Sequence, residues 1–278
     1  MMLAALFCFA LLDATSKHLS QTFSVPLLVW ARYTFHFLLM VVFLAPSRRG
    51  RLLATTRPLL QVVRALLLVG VTGFAMAAFR IMPLAETTAI LFVTPLFVAL
   101  LAGPMLGEKV GALRWSAVAA GFVGMLLIAR PGGALLLEGI VLCLTGAACY
   151  ALYQIQTRQL SPTEDTVTML FYTALVGTVA MSLALPWIWG GPLPGWLEAL
   201  MIASLGIFGG TGHFLLIAAY RHATASTLAP LGYVQLIWAT LLGWLFYDAL
   251  PDALSLAGMA IIAGSGILLA WHARPGTR

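Results

Sequence analysis

Long apolar runs follow one another through this chain with gaps of only a few residues, so little sequence is left for a water-soluble part. Of the 278 residues, 62% are hydrophobic and 9% are charged, whereas about a quarter of a soluble domain is charged. A membrane-spanning helix needs about 20 mostly apolar residues, which leaves room for about ten spans. The lipid bilayer is therefore the expected surrounding. Nucleic acid is not an expected partner, because the basic residues lie between apolar runs and not on one face.

The spans are predicted to be helices, because the apolar runs do not alternate with polar residues as the strands of a membrane barrel do. Proline and glycine residues mark the boundaries. The predicted spans are 2–20, 26–45, 58–79, 85–106, 113–130, 136–158, 166–189, 197–219, 226–247 and 253–272. Lys and Arg concentrate in alternate loops, which predicts an inner (plasma) membrane protein with both termini in the cytoplasm.

The second half of the chain repeats the first at an offset of about 140 residues. The stretch from Ala78-Phe79-Arg80 to Arg130-Pro131-Gly132 resembles the stretch from Ala219-Tyr220-Arg221 to Arg274-Pro275-Gly276. Five spans per half is an odd number, so the two halves are expected to lie in opposite orientations. Inverted repeats with a site at their interface are typical of secondary transporters. The predicted fold is all-α and integral to the membrane, with inverted five-helix repeats at 1–133 and 134–278 around a central cavity.

Several short motifs match one family pattern, in which a glycine-rich helix is followed by a helix with a mid-span proline, a Gly-Glu pair and a last helix rich in small residues. They are Ala78-Phe79-Arg80, Thr94-Pro95, Gly107-Glu108 and Ala117–Gly124, with Trp30-Ala31-Arg32 at the start of the second helix. This pattern resembles the EamA unit of the drug/metabolite transporter superfamily over essentially the whole chain, and within it the YddG-type exporters of aromatic amino acids. The resemblance implies ten helices in two inverted repeats around a cavity that opens to one side at a time.

The second half departs from this pattern at two places. Gln235-Leu236 stands at the counterpart of Pro95, and Asp248 replaces the glutamate of the Gly-Glu pair. A mechanism that requires two identical halves is therefore not expected.

Polar residues inside spans are candidates for function, because burying them in lipid is unfavourable. Asp13 and Lys17 are spaced to meet on one face of the first helix, either as a structural ion pair or as a pair linked to substrate or protons. Asp13 is the candidate for proton coupling, since it is the one acid placed well inside a span. Arg32 and His36 share a face of the second helix, where they serve packing or bind a substrate carboxylate.

Three further groups are candidates for lining the cavity, with packing inside the bundle as the alternative for each. His213 lies mid-helix in a glycine-rich run, where small residues allow close approach. The other candidates are Tyr150, Tyr153 and Gln154 on the sixth helix, and Tyr233, Gln235 and Trp238 on the ninth. An aromatic cavity suits flat or apolar substrates.

Other residues of these types are expected to serve structure. The tryptophans near span ends are predicted to form interfacial belts; they are Trp115, Trp187, Trp189, Trp196 and Trp271. Pairs of small residues four positions apart are predicted to allow close helix crossings. They are Gly103-x3-Gly107, Ala117-x3-Gly121, Gly206-x3-Gly210 and Ala260-x3-Gly264.

No metal, cofactor or catalytic role is predicted. Cys8, Cys143 and Cys149 lie in apolar runs without metal-ligand spacing or a disulfide framework. Motifs for a zinc protease, a serine nucleophile and a phosphate loop are absent from the sequence. These observations predict a monomeric secondary carrier that exports small amphiphilic metabolites, with aromatic amino acids favoured. A purine, a threonine-like amino acid, a cationic drug and, less favoured, an intramembrane enzyme activity remain alternatives.

Overall fold

The computed structural model describes residues 1–48, 51–106, 111–130, 135–160, 162–188, 192–222 and 231–272, and these ranges contain α-helices and no strand. The helices are α1 (Met2–Leu19), α2 (Val25–Arg48), α3 (Pro58–Ile81), α4 (Leu84–Leu91), α5 (Thr94–Leu106), α6 (Ala112–Ile128), α7 (Leu137–Leu160), α8 (Thr166–Ile188), α9 (Trp196–His222), α10 (Val234–Tyr247) and α11 (Ala253–His272). A single 3-10 turn, Arg51–Leu53, precedes α3. The all-α prediction is confirmed.

Six of these helices are long and apolar enough to cross a membrane, namely α1, α2, α3, α7, α8 and α9. Four shorter apolar helical stretches complete the set: Leu84–Val98, Trp115–Ile128, Val234–Tyr247 and Ala253–Leu268. Their order along the chain agrees with the predicted spans. Trp187 and Trp196 at two span ends are among the most exposed side chains, as expected of an interfacial belt.

The fourth predicted span, 85–106, is not one continuous helix. It breaks at a turn over Phe92 and Val93, and the helix resumes at Thr94 with Pro95 in its first turn. Proline lacks an N–H and clashes with the preceding turn, so it starts a helix more easily than it continues one. The ninth span has a turn at the matching place, Tyr233, directly before α10.

The helix ends repeat at one spacing. The end of α1 at Leu19 and the end of α7 at Leu160 are 141 positions apart, and the same spacing separates the starts of α2 and α8 and the ends of α3 and α9. The boundary expected between residues 133 and 134 lies outside the described residues, as do Gly107, Glu108, Pro131, Gly132, Trp189 and residues 274–276 of the proposed pattern.

Most helix contacts are between the two halves, and the main contacts recur when each helix is replaced by its counterpart 141 positions away. Helix α3 packs on α7 as α9 packs on α1, and α2 packs on α9 as α8 packs on α3. Three further pairs join a helix to its own counterpart: α2 with α8, α4 with α10, and α6 with α11. The halves are therefore interleaved, and neither has a core of its own.

Glycines bring two of these helix pairs into close contact. A Cβ atom added at Gly124 of α6 would lie 2.7 Å from the carbonyl oxygen of Gly258 on α11. On α9, Gly206 and Gly210 face Phe35 and His36 of α2, so the crossing predicted there is confirmed.

The close helix crossing predicted at Ala260-x3-Gly264 is not found at Gly264. Nothing lies within 4 Å of a Cβ atom added at Gly264, because α11 meets α6 closely at Gly258 instead.

Candidate functional site

Asp13 and Gln235 join the two halves inside the bundle. The Gln235 amide donates a hydrogen bond of 3.0 Å to Asp13 Oδ2. Gln235 occupies the first turn of α10, directly after the break at Tyr233, and Asp13 lies two turns before the end of α1. Discontinuous helices near the midplane form the binding sites of many transporters. The Asp13 carboxylate therefore lies next to the point at which a helix of the second half is interrupted.

The ion pair expected between Asp13 and Lys17 is wrong. The Lys17 ammonium donates hydrogen bonds of 2.8 Å to Phe79 O and 2.7 Å to Met82 O, and lies 5.3 Å from the centre of the Tyr247 ring. The last carbonyls of a helix have no partners within it and attract cations. The end of α3 supplies such carbonyls, so Lys17 ties α1 to α3 and has two of its three donors occupied.

Arg32 lies near two other residues predicted for the site, Asp13 and His213. Its Nη1 donates to Thr72 Oγ1 at 2.9 Å, and the Tyr33 hydroxyl lies 3.0 Å from the same oxygen. Its positive charge acts on both Asp13 and His213. The half-buried guanidinium thus bonds to α3, and its charge lies within electrostatic range of the α1 carboxylate and the α9 histidine.

His213 stacks on a second histidine. The rings of His213 and His36 are parallel within 8°, with centroids 6.3 Å apart, and the Phe9 ring meets His213 edge-on at 5.0 Å. His36 is buried, and its Nε2 atom has no hydrogen-bond partner among the described residues. The two helices can approach this closely because Gly210 lies against the His36 ring.

A mostly apolar pocket of about 330 Å³ lies beside this stack, between α2, α8 and α9. Its lining residues are His36, Leu39, Met40, Phe43, Leu170, Gly210, Thr211 and Phe214. Of the candidate residues predicted from the sequence, His36 is in this lining and the others are not. His213 contacts the pocket through His36.

Tyr150 and Tyr153 form a stacked pair on α7. Their ring centroids are 5.7 Å apart and their planes differ by 15°. Both side chains are half-buried, as is the adjacent Gln154. The prediction that the two tyrosines share a face of this helix is confirmed, since residues three apart are neighbours on a helix.

The predicted group of Tyr233, Gln235 and Trp238 is divided in the structure. Tyr233 precedes the helix, so the helical spacing that would align it with the others does not apply. Its ring packs on Phe92, at a centroid distance of 5.4 Å, and its hydroxyl lies over Gly266. The rings at the two helix breaks therefore touch each other.

Trp238 packs on α1 and takes no part in the Asp13 contact. Its ring meets Phe7 edge-on at 4.9 Å, and its Nε1 atom is buried without a hydrogen-bond partner among the described residues. A role in packing accounts for these contacts.

Arg64 is a buried residue that the sequence patterns above did not single out. It is 1% exposed and is the largest of the fully buried side chains. Its Nη2 donates to Thr173 Oγ1 at 2.9 Å and to Met169 O, and its guanidinium lies 5.0 Å from the Tyr153 ring centre. The sequence signal that could have identified Arg64 is its pairing with Gln61, since these are two polar residues three positions apart inside a span.

Glu164 continues this network to the end of the bundle. Its Oε2 accepts from Gln61 at 3.3 Å, and its Oε1 accepts from the backbone N–H and the hydroxyl of Thr56 at 3.0 and 2.8 Å. Glu164 lies in the loop between α7 and α8, whereas Thr56 directly precedes α3 and Gln61 lies in its first turn, so the network joins the two halves.

A surface ion pair lies just beyond the C-terminal end of α6, where it links this helix to its counterpart, α11. Arg130 and Asp252 bond directly, and this bond holds the pKa of Asp252 at about 2. Elsewhere in the described ranges, no three His, Cys, Asp or Glu side chains are grouped as metal ligands, and all three cysteines are free.

The EamA-like transporter family profile matches residues 1–130 and again residues 137–271, which together cover nearly the whole chain. The chain belongs to the EamA-like transporter family. The predicted resemblance to this branch of the drug/metabolite transporter superfamily is confirmed, and the chain is a multi-pass membrane transporter.

Named members of the family transport different substrates. The chain is 28% identical over 251 residues to the S-adenosylmethionine uptake transporter of Rickettsia bellii, covering 90% of this chain and 85% of that protein. It is 30% identical over 281 residues to a riboflavin transporter of Rhizobium johnstonii, covering 96% and 89%. The narrower resemblance to aromatic amino acid exporters is not supported by these relatives.

A solved crystal structure supports the fold. It aligns over 98% of this chain and 97% of its own, with a TM-score of 0.65 and 20% sequence identity.

Proposed function

We propose that this transporter is a secondary carrier for ring-bearing α-amino acids, or metabolites built on them, which it moves by alternating access between halves 1–133 and 134–278. The observation that carries the proposal is the contact of Asp13 with the uncharged Gln235 across the halves. A carboxylate inside a span is unfavourable without a cation in contact. The Arg32 guanidinium bonds to Thr72, and a substrate ammonium would supply the direct contact to Asp13. Arg32, which acts on Asp13, would take the substrate carboxylate.

The stacked Tyr150 and Tyr153 rings would receive the flat part of the substrate, because aromatic surfaces favour stacked and edge-on contacts. Aromatic amino acids carry this combination of groups, and so does S-adenosylmethionine, the substrate named for the Rickettsia relative. Riboflavin is the second candidate, on the strength of the 30% identical relative, and it would use the tyrosines without the two charges.

In this proposal the protein works as a monomer in the inner membrane with both termini in the cytoplasm. Export is the direction that the aromatic exporters suggest and uptake the direction that the S-adenosylmethionine relatives suggest. A carrier without coupling follows the substrate gradient either way, and Asp13 is the residue through which protons would couple.

Counterflow into proteoliposomes tests the proposal. Vesicles are preloaded with unlabelled tryptophan, S-adenosylmethionine, riboflavin, threonine, uracil or a cationic drug, and uptake of the labelled compound is followed. We expect saturable counterflow of tryptophan or S-adenosylmethionine. Asp13→Asn keeps an acceptor for Gln235 but removes the charge, and should raise KM about tenfold or more, as loss of one charge-assisted hydrogen bond does.

Riboflavin counterflow without counterflow of either amino acid would replace the proposal by its second candidate. Absence of all counterflow from a folded protein would contradict the whole assignment. Wild-type KM for an amino acid that survives in Asp13→Asn would remove Asp13 from the site.

A further inference from the structure

Arg64 carries a buried charge whose hydrogen-bond partners are neutral. Besides Thr173 and the Met169 carbonyl, its Nη2 lies 3.4 Å from Gln61 Oε1, and its Nη1 lies 3.4 Å from Thr157 Oγ1. Removing an ion from water has a penalty of several kcal/mol even after relaxation. Packing alone is a poor reason for placing an arginine here, since a leucine would fill the space without that penalty.

The ring of Tyr153 is the one aromatic contact of this guanidinium among the described residues. A guanidinium over a ring face is attracted by the ring's quadrupole, and its planar shape favours a parallel arrangement. Tyr153 in turn stacks on Tyr150. The orientation of the charge therefore affects the orientation of both rings.

Two further contacts fix the arginine in relation to Tyr153. The Thr157 hydroxyl, which is in contact with Arg64, donates to the Tyr153 carbonyl at 2.7 Å. On the other side, Gln61 connects Arg64 to Glu164. The guanidinium is thus held from α3, α7 and α8 together, and it cannot turn away from the ring without breaking several bonds.

We propose that Arg64 is a positioning residue for ring recognition: it holds Tyr153, and through it Tyr150, at the angle at which a flat substrate ring stacks. It does not touch the substrate. This role rests on the proposed function and adds a determinant of its specificity, because only substrates with a ring depend on the tyrosine pair.

The test compares substrates with and without a ring. Arg64→Lys keeps the charge and loses the planar fork, and Arg130→Lys is the matched control at the exposed end of α6. Counterflow gives KM for tryptophan in each variant. Competition with that counterflow gives the inhibition constant of threonine, which has the same ammonium and carboxylate but no ring. We expect Arg64→Lys to raise KM for tryptophan about tenfold, because an ammonium has no planar face to hold against the Tyr153 ring. The inhibition constant of threonine should stay within about twofold in both variants, a difference of under about 0.5 kcal/mol.

A second variant covers the case in which Arg64→Lys does not fold. Thr157→Val removes one hydroxyl from the arginine and should raise KM for tryptophan about threefold, as the loss of one long, weak hydrogen bond does. In Tyr153→Leu, the added Arg64→Lys change should have no further effect, because the ring on which it acts is gone.

An equal rise in the KM for tryptophan and the inhibition constant of threonine would overturn the proposal, since it would place Arg64 on the carboxylate that both share. If both constants are unchanged in a folded variant, the proposal is overturned too, and Arg64 has a purely structural role. Failure of the proposed function is seen separately, as absence of tryptophan and S-adenosylmethionine counterflow in the wild type.

Discussion

Two corners of the bundle, each built from both halves, occupy matching positions in the repeat but differ in chemistry. At the spacing of 141 positions, Gln61 corresponds to Ile202, Arg64 to Leu205, Glu164 to Phe23 and Tyr153 to Leu12. We call the first members the polar corner and the second members the apolar corner. The polar corner is a hydrogen-bonded network, whereas all four members of the apolar corner belong to one hydrophobic cluster. The repeat therefore preserves which helices meet, but not whether polar or apolar contacts hold them together.

The two chemistries respond differently to movement. The atoms of a buried polar network depend on one another, so displacing one partner leaves the others unsatisfied. Dispersion contacts in an apolar cluster are individually weak and are lost one at a time. The polar corner is therefore either formed or broken, while the apolar corner can loosen in small steps.

The largest effect is expected from giving the polar corner one residue of its counterpart. Arg64→Leu leaves the partners of the guanidinium, Gln61 and Thr173 among them, without a donor. Each buried acceptor left without its donor destabilises a protein by about 1 to 3 kcal/mol. Thermal unfolding in detergent, followed by tryptophan fluorescence, should show a clear fall in Tm.

The complete exchange sharpens this comparison. The triple variant Gln61→Ile, Arg64→Leu and Glu164→Phe carries three residues of the apolar corner. It removes the three linked polar side chains together, so none of them is left without the others. It should recover much of the lost stability, because apolar replacements for whole buried ionic groups are often neutral. A triple variant less stable than Arg64→Leu would show that the two corners are not interchangeable in shape.

A smaller effect is expected in the apolar corner. Leu205 is 0% exposed, and Leu205→Ala should lower stability by about 2 kcal/mol, as truncation of a buried leucine does. Leu200→Ala, on the outward side of the same helix, is the matched control. Equal shifts in Tm for the two variants would mean that the cluster does not hold this corner together.

The smallest effect on stability is expected from acidic pH, which acts on the polar corner through Glu164. Burial raises the pKa of Glu164, but hydrogen bonds from Thr55, Thr56 and Gln61 outweigh it and hold the pKa below the ordinary 4.5. A carboxylate with a lowered pKa stabilises the fold above its ordinary pKa, and this contribution is lost as pH falls through the lowered value.

Wild-type Tm should therefore decrease on acidification below about pH 4.5, the ordinary range of a glutamate. Glu164→Gln should start from a lower Tm at neutral pH and show a weaker decrease. If both proteins lose the same Tm between neutral and acidic pH, other carboxylates dominate the response and Glu164 does not.

The sequence predicted the helices well because membrane insertion depends on local composition. The first span, predicted at 2–20, is observed as Met2–Leu19. The break over Phe92 and Val93 was missed because both residues are apolar and continue the hydropathy of the span. Hydropathy reports where a segment lies and not whether its hydrogen bonds are continuous.

The site was harder to predict because its contacts are distant in sequence. Helical spacing correctly paired Tyr150 with Tyr153, but it also paired Lys17 with Asp13, when the ammonium in fact bonds to carbonyls more than sixty positions away. The Gln61–Glu164 contact spans 103 positions. Only the three-dimensional packing of α3 on α7 and α8 brings such residues together.

The crossing of α6 and α11 restricts how these two helices can move. At Gly124 and Gly258 each backbone carbonyl occupies the space that a side chain of the other helix would need. Backbone lies against backbone there, with the Ile128 and Ile262 side chains beside the contact. The pair therefore cannot be pressed closer, and either glycine replaced by alanine would force it apart. Any movement of one half against the other must therefore keep α6 and α11 at this spacing.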